Sequence, residues 1–192
     1  MAQTPAAPGI PAAGAGGSTT GVVAPAKVAV IAFQVAVSQT NEFQRNFADL
    51  QKKFEPQKQQ LKTLSDQIDS LTKDLEAQGS KLSDAERASR ASVINTKKQQ
   101  LQRDSQDAQN DFQQEMQDMF NGVAQKVGQE MISYAQAHGY TAVMDFGQQQ
   151  SQVLWAADST NITKEVVAAY NQKSGIPAPA AGLPAAPAPA AK

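Results

Sequence analysis

Apolar residues recur in alternating steps of four and three from Phe43 through Phe47, Leu50, Phe54, Leu61, Leu64, Ile68, Leu71 and Leu75 to Leu82, with Gln57 and Gln78 filling two gaps in the register. Such a stripe is a heptad seam, the line along which one helix packs against another. Pro56 lies inside it, and a kink or break is expected there, because proline removes a hydrogen bond to the carbonyl near Lys52. Gly79 suits the left-handed position that ends a helix. Ser83-Asp84-Ala85-Glu86 then fits a capping box, which starts the next one.

The second helix carries Ile94, Leu101, Ala108, Phe112, Met116, Met119, Val123, Val127, Met131 and Tyr134 and ends near His138-Gly139. A loop of about five residues makes the two helices antiparallel neighbours. At 1.5 Å per residue, helices of roughly 40 and 54 residues reach about 60 and 80 Å, so the hairpin projects beyond any small base. Polar gaps around Lys98 and Ser105 predict a mobile middle.

On either side of the hairpin the period changes to two. The run KVAVIAF, with Val28, Val30 and Ala32 on one face and Ala29, Ile31 and Phe33 on the other, reads as a strand buried on both faces. YTAVMDF, from Tyr140 to Phe146, and SQVLWA, from Ser151 to Ala156, flank a short polar loop and read as a β-hairpin. Thr163 is the expected cap of a last short helix, with Glu165 in its first turn and Val166, Val167 and Tyr170 as its apolar stripe.

These elements predict a mainly α fold with a small β base. A helical hairpin over 38–138 stands on a base built from 27–36 and 139–173. Residues 1–26 and 174–192 read as disordered tails. In the first, 21 of 26 residues are Ala, Pro, Gly, Ser or Thr and none is charged, and the second is a Pro/Ala spacer.

Charge and composition then narrow the function. A net charge of −1 and a balanced hairpin, nine Lys/Arg against eight Asp/Glu from Glu55 to Asp104, argue against a nucleic-acid partner. With no cysteine, disulfides, thiolate metal sites and cysteine nucleophiles are excluded. No stretch approaches the roughly 20 apolar residues of a spanning helix, although contact with a membrane surface stays open. The N-terminus lacks a basic segment followed by an apolar one, which read literally is cytosolic; alternatively Met1 is an engineered start on a mature exported chain beginning Ala-Gln.

Chemistry-bearing constellations are sparse. The sole histidine, His138, reads as a helix-end cap. Asp104, Asp107, Asp111, Glu115 and Asp118 share a helix face, and a straight helix does not wrap them around one cation, so they read as a solvated acidic stripe. Asn161-Ile162-Thr163 matches a glycosylation sequon but reads as the turn before the last helix. There is no phosphate loop, catalytic triad or dinucleotide fingerprint, and the expectation is a non-enzyme without cofactor or metal.

The order of KVAVIAF, helix, Phe54-Glu55-Pro56, turn, longer helix, GYTAVMDF, turn, SQVLWA and NITKEVVAAYN resembles the Skp/OmpH family of periplasmic chaperones over about Lys27 to Lys173. The resemblance implies a homotrimer whose strands join in a common β-core, here Val28, Val30, Ile31, Ala142, Met144, Val153 and Trp155. It also implies three hairpins that enclose unfolded outer-membrane β-barrel proteins without ATP, in the periplasm. Strands that are apolar on both faces and too few to close a core alone agree with such an assembly. Phe112, Met116, Met119 and Phe120 read first as residues that pack against the first helix, and beside that as candidate client contacts, since methionine adapts to varied partners. Two alternatives stand beside this reading: a coiled-coil scaffold or spacer, and a cytosolic prefoldin-like holdase.

Overall fold

The computed structural model describes residues 26–148 and 150–179, so most of both expected tails lies outside the described residues. In chain order the elements are β1 (Val28–Ile31), α1 (Phe33–Gln39), α2 (Asn41–Gln78), α3 (Asp84–Ala137), β2 (Ala142–Asp145) and α4 (Thr163–Ser174). The expected architecture, a long helical hairpin on a small β base, is what forms.

α2 and α3 have 38 and 54 residues, about 57 and 81 Å of helix. The capping box at the start of α3 is present: Ser83 Oγ accepts from the Glu86 amide at 3.3 Å, and Glu86 Oε2 accepts from the Ser83 amide at 2.9 Å. The Ser83 hydroxyl, which donates to Glu86 Oε2 at 2.7 Å, and then the Ser83 amide hold the Glu86 carboxyl below the usual carboxylate range. At the far end, His138 is the C-cap and Gly139 takes φ +69°, the left-handed position predicted for it.

Four local expectations are corrected. α2 runs unbroken through Pro56, which lies with Lys52 on the exposed face, where water can satisfy the freed carbonyl. Gly79 has φ −55° and opens a right-handed 3₁₀ turn, Gly79–Lys81, so the tip needs no left-handed residue. β1 ends at Ile31, and Phe33 already belongs to α1, a helix unforeseen because its residues look strand-like; Asp145 Oδ1 accepts from the Phe33 amide at 3.2 Å and so caps it from across the fold. Thr163 does not cap α4. Asn161 Oδ1 accepts from the Thr163 amide at 3.0 Å, while the Thr163 hydroxyl accepts from the Ala32 amide at 2.9 Å and ties α4 to the end of β1.

The sheet differs most. β1 and β2 pair in parallel, with Val28 opposite Ala142, Ala29 opposite Val143, Val30 opposite Met144 and Ile31 opposite Asp145. Parallel neighbours need a crossover, and the whole α1–α3 hairpin is that crossover. Ser151–Ala156 forms no strand, so the predicted β-hairpin is not formed; on the other side of β1, among the described residues, only Asn161 bridges to Val30.

The core sits at the hairpin root. Ala29 and Ile31 of β1, Val37 of α1, Phe43 and Phe47 of α2, Val123 and Val127 of α3 and Val166 and Tyr170 of α4 form one buried cluster. Phe43 and Phe47 stack at 6.3 Å, and Phe120 meets Phe43 edge-on at 6.1 Å. Farther out only the seam is covered: Leu50 and Ile68 are buried, and Phe54, Leu61, Leu64, Leu71 and Leu75 are half-buried.

Val127 is wholly buried, whereas Val93 near the tip is 47% exposed. Val127→Ala should therefore cost about 2 kcal/mol in urea unfolding, and Val93→Ala no more than ~0.5 kcal/mol. Equal losses at the two positions would place the core elsewhere than at the root.

Candidate functional site

Two surfaces of this fold could engage other molecules. The first is the edge of the base. Strand side chains alternate, so Val143 and Asp145 turn inward, while Ala142 and Met144 face out beside Val28 and Phe146. Ser151–Ala156 runs past this edge, leaving Leu154 98% and Trp155 83% exposed. Val30, Phe146, Val153 and Trp155 help line a cleft of about 220 Å³ beside it. So large an exposed aromatic next to other apolar side chains marks an interaction surface rather than ordinary scatter.

Of the seven residues expected in an intersubunit core, Val28, Ala142, Met144 and Trp155 lie exposed on this edge, and Val153 is half-buried. Val30 and Ile31 are 5% and 1% exposed; Ile31 belongs to the chain's own buried cluster, and Val30, on the opposite face of β1, lines the cleft with Phe146, Val153 and Trp155. A tight turn holds the strand exit in place. Asp145 Oδ1 accepts from the Gly147 amide at 2.9 Å, and a Cβ on Gly147 would come within 3.0 Å of the Ala32 backbone.

The second surface is the hairpin. Phe112 packs edge-on against Phe54 at 5.3 Å, and Phe112, Met116, Met119 and Phe120 all lie half-buried against the core side of the seam. Beyond this layer the seam is less completely filled. A cavity of about 670 Å³ opens between Gln57, Leu61, Leu64 and Gln67 of α2 and Lys97, Gln100, Asp104 and Asp107 of α3. A second, of about 500 Å³, adjoins Phe54, Leu61, Ala108 and Phe112. A glutamine at a seam position, a small alanine and charged side chains do not fill the space, which is why the polar gap read from sequence becomes an opening.

Cross-helix polar contacts span this stretch. Lys53 meets Glu115 at 2.6 Å and Lys97 donates to Gln67 at 3.0 Å, exposed contacts worth about 1 kcal/mol or less each. Among the described residues no group of three His, Cys, Asp or Glu is placed to hold a metal ion. His138 Nδ1 lies 2.8 Å from the Tyr134 carbonyl, and its ring stacks on Tyr134 at 3.9 Å, the capping role expected of it.

A polar cluster at the root was not foreseen. Glu42 in the first turn of α2 accepts from Lys126 of α3 at 2.6 Å and from the Tyr170 hydroxyl of α4. Burial pushes the Glu42 carboxyl up, but the hydrogen bonds from Lys126 and Tyr170 and the Lys126 charge outweigh it, so the group titrates below the usual carboxylate range. Burial, then the Glu42 contact, raises the Tyr170 phenol well above its ordinary value. Lys173 of α4 meets Glu130 of α3 at 2.6 Å beside them. In sequence Glu42 looked like a first-turn acid and Tyr170 like part of an apolar stripe, and 128 residues separate them.

A hairpin of long helices rooted in a two-stranded parallel base, with an apolar edge left open, defines a tentacle-bearing helical protein. Among the described residues no helix is long and apolar enough to cross a membrane. The chain belongs to the OmpH-like family: the family model described as outer membrane protein (OmpH-like) matches residues 27–170. Its fold is also that of a solved structure from Caulobacter crescentus CB15, described as a candidate outer membrane chaperone (OmpH-like), with a TM-score of 0.64 and 21% identity over 78% of this chain and 86% of that one. No curated protein matches the chain.

If Gln57 holds the seam open, Gln57→Leu should close part of it, raise the melting temperature by a few degrees and slow amide exchange from Lys97 to Asp107. Unchanged exchange there would mean that the unfilled space has another cause.

Proposed function

We propose that this protein is an ATP-independent holdase chaperone of the periplasm, which assembles as a homotrimer through its base and encloses unfolded outer-membrane β-barrel proteins between its hairpins. The observation that carries this reading is the apolar edge at Met144, Leu154 and Trp155, left open at the end from which a long, loosely packed hairpin projects. Membership of the OmpH-like family and the likeness to the Caulobacter crescentus protein support it.

An edge strand and an extended apolar segment are what a second copy can cover by pairing and burial, and three copies would set three hairpins around a shared space. Within that space a client would meet many weak contacts, the apolar ones from Phe112, Met116, Met119 and Phe120 as the hairpin breathes. Weak, numerous contacts suit a partner with no fixed shape, and holding it requires no nucleotide.

A scaffold role is the second reading, favoured by the continuity of α2 through Pro56, which leaves one unbroken 38-residue helix where proline allows a break. Light scattering of an unfolded outer-membrane β-barrel protein diluted with and without this chain separates the two. Suppressed aggregation at one trimer per client, without ATP, is expected. A trimer that leaves aggregation unchanged would leave the scaffold.

Assembly has its own test. Trp155 is the sole tryptophan, so its fluorescence reports the edge directly. Its emission should be blue-shifted and protected from iodide in the assembled protein, and both effects should vanish on dilution to monomer. Trp155→Ala should remove about 3 to 5 kcal/mol of intersubunit burial per chain and shift the mass measured by light scattering towards monomer, with helicity retained. Val30→Asp, by contrast, should unfold the chain itself, because Val30 is buried within it.

A further inference from the structure

The closing segment of the chain does more than complete the core. α4 lies across the roots of both hairpin helices and is pinned to each by polar contacts. Tyr170 donates to Glu42 of α2, Lys173 pairs with Glu130 of α3, and Asn171 Oδ1 accepts from the Asn41 amide at 2.9 Å. Past the helix, Asn41 Nδ2 donates to the Ile176 carbonyl at 2.8 Å, so the chain is held even after Gly175 has turned it with φ +65°. The family model ends at residue 170, so Asn171, Lys173 and Ile176 extend the attachment beyond the matched domain.

Glu42 is the common point. Its side chain is 12% exposed, and its two oxygens are engaged by different helices, Oε1 by Lys126 of α3 and Oε2 by Tyr170 of α4. One carboxylate on α2 therefore joins three helices where the hairpin leaves the base. A cavity of about 340 Å³ lies beside it, between Glu42, Lys126, Glu130, Tyr170 and Lys173, so the junction is not sealed by apolar packing on that side. Contacts made by charge across such a space last only while the charge does.

We propose that α4 and the segment after it form an acid-released strap, with Glu42 as its catch, that fixes the angle at which the hairpin leaves the base. The charged and titratable groups facing the catch are Lys126 and Glu130 from α3 and Tyr170 and Lys173 from α4. Protonating Glu42 removes the ion pair with Lys126 and weakens the bond from Tyr170, and it leaves the Lys126 ammonium without its anion. Glu130 remains close to both lysines, so the strap loosens rather than inverts.

The sign follows from the direction of the shift. Because the folded carboxyl titrates below its unfolded value, its stabilising contribution is complete above about pH 4.5 and disappears as pH falls through the lower, folded value. Tyr170 adds an alkaline limit: with its folded phenol raised, the bond is intact below about pH 10 and lost only as pH rises through the raised value. Between these limits the strap is closed. Its use in capturing clients rests on the holdase reading, whereas the strap itself does not.

The test is a distance measurement on the full chain that needs no client. The sequence has no cysteine, so Asn46→Cys on α2 and Ala168→Cys on α4, both surface positions, give a unique spin-labelled pair, diluted into unlabelled protein to silence contacts between copies. A narrow distance distribution at pH 7 should stay narrow near pH 4.5 and broaden at least twofold as pH falls further, through the depressed folded value of Glu42, reversibly and with helicity retained. Glu42→Gln should give the broad distribution already at pH 7 and no further pH response. Tyr170→Phe, which keeps the ring packing, should give an intermediate width if Glu42→Gln proves too unstable to purify. A distribution that stays narrow at every pH in the wild type, or unchanged in Tyr170→Phe, overturns the strap and leaves the chaperone reading untouched. Loss of aggregation suppression with a normal strap response would do the opposite.

Discussion

A hairpin of two helices can bury only one stripe of each, and most of its surface stays in water. Everything in this fold depends on how that hairpin is anchored, and the anchor is the knot of side chains at its root. Val123 and Val127 of α3 meet Phe43 and Phe47 of α2 there, with Val37 of α1, Ile31 of β1 and Val166 of α4 closing the shell. Four helices and a strand converge on those few aliphatic and aromatic groups, and the chain has no comparable cluster elsewhere among the described residues. Packing of this density resists movement, which lets the distal part be loose without loss of the fold.

The looseness has a definite place. From Phe54 and Phe112 outward the seam carries Gln57, Ala108 and charged side chains, and two cavities lie along it, while Ile68 and Ile94 towards the tip are buried. Salt links such as Lys53 to Glu115 bridge the helices but contribute little in water. The result is a rod that is firm at the base, with buried isoleucines on both helices towards the tip, the Ser83 capping box at its end and a less filled stretch between.

At the base the same economy leaves an edge uncovered. Two parallel strands of four residues each cannot bury both faces, and the apolar segment after β2 lies extended with Leu154 and Trp155 in solvent. In the proposed holdase this edge is where copies meet, while the hairpin and the polar junction around Glu42 decide how far each arm can swing. On these proposals assembly, client contact and arm angle fall on three separate parts of the chain, each with its own physical basis: apolar burial, weak distributed contact and a charge held in a partly closed pocket.

The local, periodic features were legible in the sequence, because each depends on residues a few positions apart. The heptad stripe from Phe43 to Leu75, the Ser83–Glu86 box and the Gly139 cap formed as their spacing required, strand β1 formed over a shorter span than its apolar run, and the motif order was enough to resemble the family that the chain belongs to. Where local rules failed, a distant partner had decided the matter. Asp145, 112 residues away, accepts from the Phe33 amide at the start of α1, and the Thr163 hydroxyl accepts from the Ala32 amide, 131 residues away, instead of capping α4. Ser151–Ala156 has strand-forming residues but no strand to pair with inside the subunit, and pairing, not propensity, makes a strand. The union of Glu42, Lys126 and Tyr170 left no trace in the sequence. Their separation along the chain reaches 128 residues, and only the folding of the hairpin back onto its base brings their charges together.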